Sequence, residues 1–236
     1  MKFYLFSITC LFFACNNTAR QTNTHIPKGT FINASGYSRI ITDLNADIHI
    51  EVNADSPYHC YLQCDKAIEP LIVFDITNDE LHIGTKDNKT VNTNDPIVIN
   101  MRVKELKSIK SNGSGKILVG GDLKTENFDV DNQGSSMIHV NNLQNNQVCI
   151  NCNGSGEIIL KGKTKNLIGK ILGSGNIRAF GLETETTDAA ITGSGNMEAT
   201  VANTLDADIT GSGNIYYKGK PSIRNSITGS GIVSAR

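Results

Sequence analysis

From residue 112 onward, apolar residues recur in phase with one tripeptide. Gly113-Ser114-Gly115 returns as Gly134-Ser135-Ser136, Gly154-Ser155-Gly156, Gly173-Ser174-Gly175, Gly193-Ser194-Gly195, Gly211-Ser212-Gly213 and Gly229-Ser230-Gly231, with starts 21, 20, 19, 20, 18 and 18 residues apart. Four and six places after the first glycine stand Ile117 and Val119, Ile138 and Val140, Ile158 and Leu160, Ile177 and Ala179, Met197 and Ala199, then Ile215 and Tyr217. Two places before it stand Cys152, Ile171, Ile191, Ile209 and Ile227, and about ten places into a coil come Leu123, Leu143, Leu182 and Leu205. Alternation with a period of two describes short strands with one dry and one wet face.

One such unit cannot bury its apolar face alone, whereas stacked units lay each isoleucine on the next and pair their backbones coil to coil. The pattern predicts an all-β, β-helix-like parallel solenoid over residues 112–236, with coils of 18–21 residues. About six coils at about 4.8 Å each would rise about 29 Å. The Gly-Ser-Gly is the corner, where glycine tolerates a positive φ and close backbone approach. Asn112-Gly113 and Asn153-Gly154 would also suit hairpin turns, but apolar register from unit to unit is what a parallel stack needs. Stacking should place Asn176, Asn196 and Asn214 in a polar ladder just past the corner, beside Ser174, Ser194 and Ser212.

Residues 30–111 lack the tripeptide but remain strand-like. Phe31, Tyr37, Ile40, Ile48, Ile50 and Val52 precede a turn at Asp55-Ser56-Pro57, and Tyr58, Cys60 and Leu62 follow it. Leu71 to Ile76, a turn at Asn78-Asp79-Glu80, Leu81 and Ile83, and finally Ile97, Ile99, Met101 and Val103 complete the series. The region reads as irregular early coils or as a cap, since an open solenoid edge would offer unpaired strand groups to any neighbour.

Residues 1–15 behave as a signal peptide. Lys2 precedes a nearly continuous apolar run from Phe3 to Ala14, too short to span a bilayer. Ala14 before Cys15 resembles a lipoprotein junction, in which the cysteine is lipidated and becomes the new N-terminus. Residues 16–29 would then be a polar tether, with membrane lipid as the partner through Cys15. The expectation is an exported protein on the outer membrane facing the periplasm, with surface exposure as the alternative.

Net charge and composition narrow the chemistry. With 22 Lys and Arg against 23 Asp and Glu, the net charge is -1, so no global field draws nucleic acid. Lys161, Lys163, Lys165 and Lys170 cluster around one coil without interleaved aromatics, which suits a solvated face or an anionic polysaccharide. Cys60, Cys64, Cys149 and Cys152 can pair in an oxidising compartment, but Cys149 and Cys152 lie three apart on a strand and face opposite ways. The corners carry Ser and Asn rather than Asp, so no calcium or other cofactor is expected. Asp188, Asp206 and Asp208, with Glu183, Glu185 and Glu198 around them, are the carboxylates from which an active site would be built. The histidines His25, His49, His59, His82 and His139 show no nucleophile partner, and no catalytic residue is assigned.

The repeats closely resemble a family of exported bacterial proteins known as auto-transporter adhesin head GIN domain proteins, often lipoproteins of Bacteroidetes. The resemblance spans about residues 30–220. It rests on the opening from Phe31 to Ile40, Leu106-Lys107-Ser108-Ile109, Gly175-Asn176-Ile177, Thr192 to Asn196, Thr210 to Asn214, and the closing Tyr217-Lys218-Gly219-Lys220-Pro221. Ser136, Lys116 and Glu157 depart from it, standing where other repeats have Gly or Asn. The resemblance implies an adhesin but transfers no catalytic or ligand-binding residue. A regular stack with a lipid tether and no converging reactive groups points to a non-catalytic envelope protein with a binding or scaffold role and an envelope polysaccharide or protein as partner. An envelope polysaccharide-processing enzyme with carboxylates on one face, or an assembly or sensor factor, is the alternative.

Overall fold

Parallel pairing of each coil on the next organises the protein. The computed structural model describes residues 29–236 apart from 92 and 94, so Cys15, His25 and the signal and tether segments up to residue 28 lie outside the described residues. The chain begins with β1 (Thr30–Phe31), β2 (Arg39–Thr42), β3 (Asp47–Val52), β4 (His59–Gln63), β5 (Ile72–Thr77), β6 (Glu80–Thr85) and β7 (Val98–Val103). It enters the repeats through β8 (Ser108–Ser111), β9 (Lys116–Gly121) and β10 (Asn127–Asn132). Four long strands then each follow most of a coil: β11 (Met137–Gly154), β12 (Glu157–Gly173), β13 (Asn176–Gly193) and β14 (Asn196–Gly211). Last come β15 (Asn214–Gly219), β16 (Ser222–Gly229) and β17 (Ile232–Ala235).

The result is a β-solenoid of about six turns. Ile138, Ile158, Ile177, Met197 and Ile215 stack in one inner row, and Cys152, Ile171, Ile191 and Ile209 in another. None of these nine is more than 2% exposed, and burying one such side chain is worth about 1.5–3 kcal/mol. Gly193 takes φ 127 at its corner, a conformation that side chains resist. Gly195 is needed for a different reason, because a Cβ there would lie 2.2 Å from the Gly175 carbonyl oxygen.

The expected row of leucines exists only in part. Leu123, Leu143 and Leu182 share a row, with Gly162 between the last two. Leu205 instead lies against Thr187, in the row of Leu167. At the corner before it, Ala179 pairs with Ala199 but Glu183 already pairs with Thr200, so the shortened coil moves Leu205 into a different position. Changes of coil length are thus absorbed away from the Gly-Ser-Gly edge.

Residues 30–111 are both coil and cap. Strands β2 and β3 lie directly on β8 and β9, and β6 and β7 lie on the far side of β2 and β3. The coil that comes later in sequence is therefore the outer one. Upon it, β5 pairs antiparallel with β6, β4 with β7, and β1 with β4. Asn78 and Asp79 turn β5 into β6 with φ 52 and 68, as a tight two-residue hairpin requires. One core cluster runs from Ala34 in the cap to Ile215. At the opposite end, β16 pairs only with β14 and β17 only with β15 among the described residues.

Candidate binding surface

Stacking converts the sequence repeat into rows of side chains with fixed spacing. Asn196 donates from Nδ2 to Asn176 Oδ1 at 3.1 Å and from its backbone N–H to the same oxygen at 3.2 Å. Asn214 Nδ2 donates to Asn196 Oδ1 at 2.9 Å, and the Ile232 N–H donates to Asn214 Oδ1 at 3.2 Å. These amides bond along the stack, so the row is stiff as well as polar. The corner glycines Gly154, Gly173, Gly193, Gly211 and Gly229 pair in register beside it, and Ser174, Ser194 and Ser212 point into solvent. Toward the cap the same edge continues, with Gly113 and Gly115 against the Leu44 and Ala46 carbonyls and Gly134 against that of Gly113.

The outer face of the β12–β14–β16 side carries a second set of rows. Asn166, Thr186 and Thr204 form one, and Thr186 Oγ1 donates to Asn166 Oδ1 at 2.7 Å. The adjacent row runs Ile168, Asp188, Asp206 and Arg224. Together they line a shallow groove of about 420 Å³. Arg224 grips Asp206 with two of its guanidinium nitrogens, Nε to Oδ1 at 2.6 Å and Nη2 to Oδ2 at 2.8 Å. That hydrogen bonding holds the Asp206 carboxyl below the usual carboxylate range, which does not suit it to donate a proton near neutral pH. The structure brings Asp188 and Asp206 together but sends Glu198 to a different row beside Arg178, which binds Glu157 at 2.7 Å. Lys161, Lys163, Lys165 and Lys170 are all exposed.

Two constellations near the capped end escape a reading by repeats. His82 Nε2 lies 2.6 Å from Asp43 Oδ2, and Asn112 Nδ2 donates to Asp43 Oδ1 at 2.6 Å. Burial alone would raise the Asp43 pKa, but bonds from Asn112 and His82 and the charges of His82 and Lys110 outweigh it and hold the pKa low. Phe31, 55% exposed, meets Tyr61 edge-on at 5.5 Å, and Tyr61 lies tilted against His59 at 5.5 Å. Asp43, His82 and Asn112 meet through the parallel stacking of β6 and β8 on β2, and Phe31 meets Tyr61 through the antiparallel β1–β4 pair, none of which the repeat announces.

The four described cysteines are unpaired. Burial raises the thiol pKa of Cys60 to about 12 and of Cys152 to about 11. Cys64 and Cys149 are raised as well, again chiefly by burial. None is poised as a thiolate near neutral pH. Among the described residues no group of three or more His, Cys, Asp or Glu is placed to hold a metal. Cys15 lies outside the described residues.

The family model described as "Putative auto-transporter adhesin, head GIN domain" matches residues 36–221. Among solved structures, a putative adhesin from Bacteroides fragilis NCTC 9343 superposes with a TM-score of 0.82 at 21% identity, covering 88% of this chain and 96% of its own. A putative lipid binding protein from Parabacteroides distasonis ATCC 8503 gives 0.70 at 25% identity, covering 89% and 96%. A putative adhesin from the same organism gives 0.69 at 25%, covering 88% and 96%. No curated protein matches the chain significantly.

Proposed function

Since the chain belongs to the auto-transporter adhesin head GIN domain family, we propose that it is a non-catalytic binding protein of the cell envelope. A lipid on Cys15 would hold it to the outer membrane, and residues 16–29 would tether a solenoid that engages envelope polysaccharide. The supporting observation is the locked row of Asn176, Asn196 and Asn214. Polar groups already fixed at a regular spacing lose little conformational entropy when they meet a partner that repeats as they do. The exposed lysines around one coil add a contact for anionic sugar units. Because β1 belongs to the cap, the tether enters at the capped end and the rest of the stack projects from there.

The full chain with Cys15→Ser, applied to an array of envelope glycans, should be retained on at least one repeating polysaccharide. Reversing charge at Lys161 and Lys163 should weaken retention on anionic glycans. Retention on none would overturn the polysaccharide reading. Metabolic labelling with a fatty acid tests the anchor separately, since label should enter the native chain and not the Cys15→Ser variant.

A further inference from the structure

The two ends of the stack are covered unequally. At the cap, β1, β4 and β5 lie across the outer coil. At the other end nothing among the described residues pairs with the outer edges of β16 and β17, and every residue of β16 is exposed. Ile223 and Ile227 are 37% and 40% exposed, although they occupy the inner rows of Leu205 and Ile209, which are 0% and 1% exposed. An exposed strand edge carrying apolar side chains is a template for another strand.

The composition of β16 says which strand. Between the two isoleucines stands Asn225, in a row filled in preceding coils by Ile150, Gly169, Ala189 and Ala207. An amide buried there needs a partner with both a donor and an acceptor, and another Asn225 supplies both. Around Asn225 the strand reads nearly the same in both directions: Ser222, Ile223 and Arg224 before it, then Ser226, Ile227 and Thr228. Antiparallel pairing about Asn225 sets Ile223 against Ile227, Ser222 against Thr228 and Arg224 against Ser226. Apolar meets apolar, no like charges oppose one another, and Arg224 keeps its contact with Asp206.

From this we infer that the uncovered end is a self-association surface: β16 of one copy pairs antiparallel with β16 of a second copy about a two-fold axis through Asn225. The interface is isologous and closes at two subunits. One coil end is small, so the expected affinity is modest, with Kd on the order of micromolar or weaker. A consequence depends on the anchor proposed above. With tethers entering at the capped ends, such a dimer carries its two lipids at opposite poles, from which they can reach two facing membranes.

Sedimentation velocity of the full Cys15→Ser chain over a concentration series should show a monomer giving way to a dimer. Adding Asn225→Lys, which sets two like charges on the axis, should raise the dimer Kd at least tenfold with an unchanged circular dichroism spectrum. Oxidised Asn225→Cys should cross-link to a covalent dimer, whereas Ser226→Cys, facing Arg224 of the second copy, should not exceed the parent chain. A monomer throughout with no cross-link overturns the inference, and so does a dimer that survives Asn225→Lys. Vesicles bearing the lipidated chain should cluster, and those bearing its Asn225→Lys form should not. Dispersed vesicles alongside a confirmed solution dimer would count against the anchor geometry, not against the pairing.

Discussion

The repetitive half and the capped half bury the same kinds of side chain but specify their neighbours differently. From β10 onward each coil is followed in space by the next in sequence, and a glycine corner sets its register. In the first half the order of stacking breaks, with β6 and β7 outside β2 and β3 and antiparallel strands lying across them. The repeats thus confer extension, and the irregular half confers an end. The left-handed Asn78-Asp79 turn is part of that end, because it reverses the chain between β5 and β6 and so sets β5 antiparallel on the outer coil.

The sharpest test contrasts a corner glycine with a glycine on an open face. A Cβ at Gly195 would meet the Gly175 carbonyl oxygen at 2.2 Å, whereas a Cβ at Gly120 would meet nothing within 4 Å among the described residues. Gly195→Ala should therefore cost about 3 kcal/mol or more, as overpacking against backbone does. Gly120→Ala should change stability by less than about 0.5 kcal/mol. Urea unfolding followed by circular dichroism reads both, and equal losses would deny the corner its special role.

Next in size is the amide row. Asn196 is bonded to both Asn176 and Asn214. Asn196→Ala removes both side-chain bonds and leaves the Asn214 amide N–H without its acceptor, while the Asn196 backbone N–H still serves Asn176 Oδ1, and should cost about 1 kcal/mol. The exposed Ser194 should tolerate alanine within about 0.5 kcal/mol. Comparable effects at the two positions in urea titrations would mean that the row is decorative.

The same contrast explains what could be read from sequence. Isoleucine rows were legible because each is punctuated by glycine at a nearly constant interval, so residue number alone gives the register. Where the interval shortened, before Leu205, the arithmetic failed although the pattern of buried and exposed residues survived. Ile48, Ile50 and Val52 alternate just as Ile99, Met101 and Val103 do. Nothing in alternation says which of the two coils lies against β9, so the order at the capped end was hidden. The amide row at Asn176 could be located in advance, but the meeting of His82 with Asp43 and of Phe31 with Tyr61 follows from that hidden order.

A smaller effect of opposite sign is expected inside the cap. The Tyr37 ring is 1% exposed and its hydroxyl has no hydrogen-bond partner among the described residues, while burial drives its pKa upward. Removing a buried, unsatisfied hydroxyl relieves a desolvation penalty, so Tyr37→Phe should stabilise the protein by about 1 kcal/mol. The bond from the Tyr58 hydroxyl to the Tyr37 carbonyl at 3.3 Å uses backbone and should persist. A destabilised variant in thermal unfolding would show that the hydroxyl has a partner after all.

The smallest effect separates the halves by pH. Asp43 joins the two, bonded to His82 in the outer coil and to Asn112 at the start of the repeats. Its folded pKa lies below the usual carboxylate range, because those bonds outweigh burial. A carboxyl shifted in that direction adds stability above its unfolded pKa, and the contribution disappears as pH falls through the folded pKa. Asp43→Asn should therefore be slightly less stable than the native chain near neutral pH, and the gap should close below pH 3.8. Asp43 is well exposed, so screening keeps the gap small and added salt should narrow it. Parallel urea titrations of the two proteins across that range supply the measurement, and a gap that widened on acidification would reverse the assigned direction of the shift.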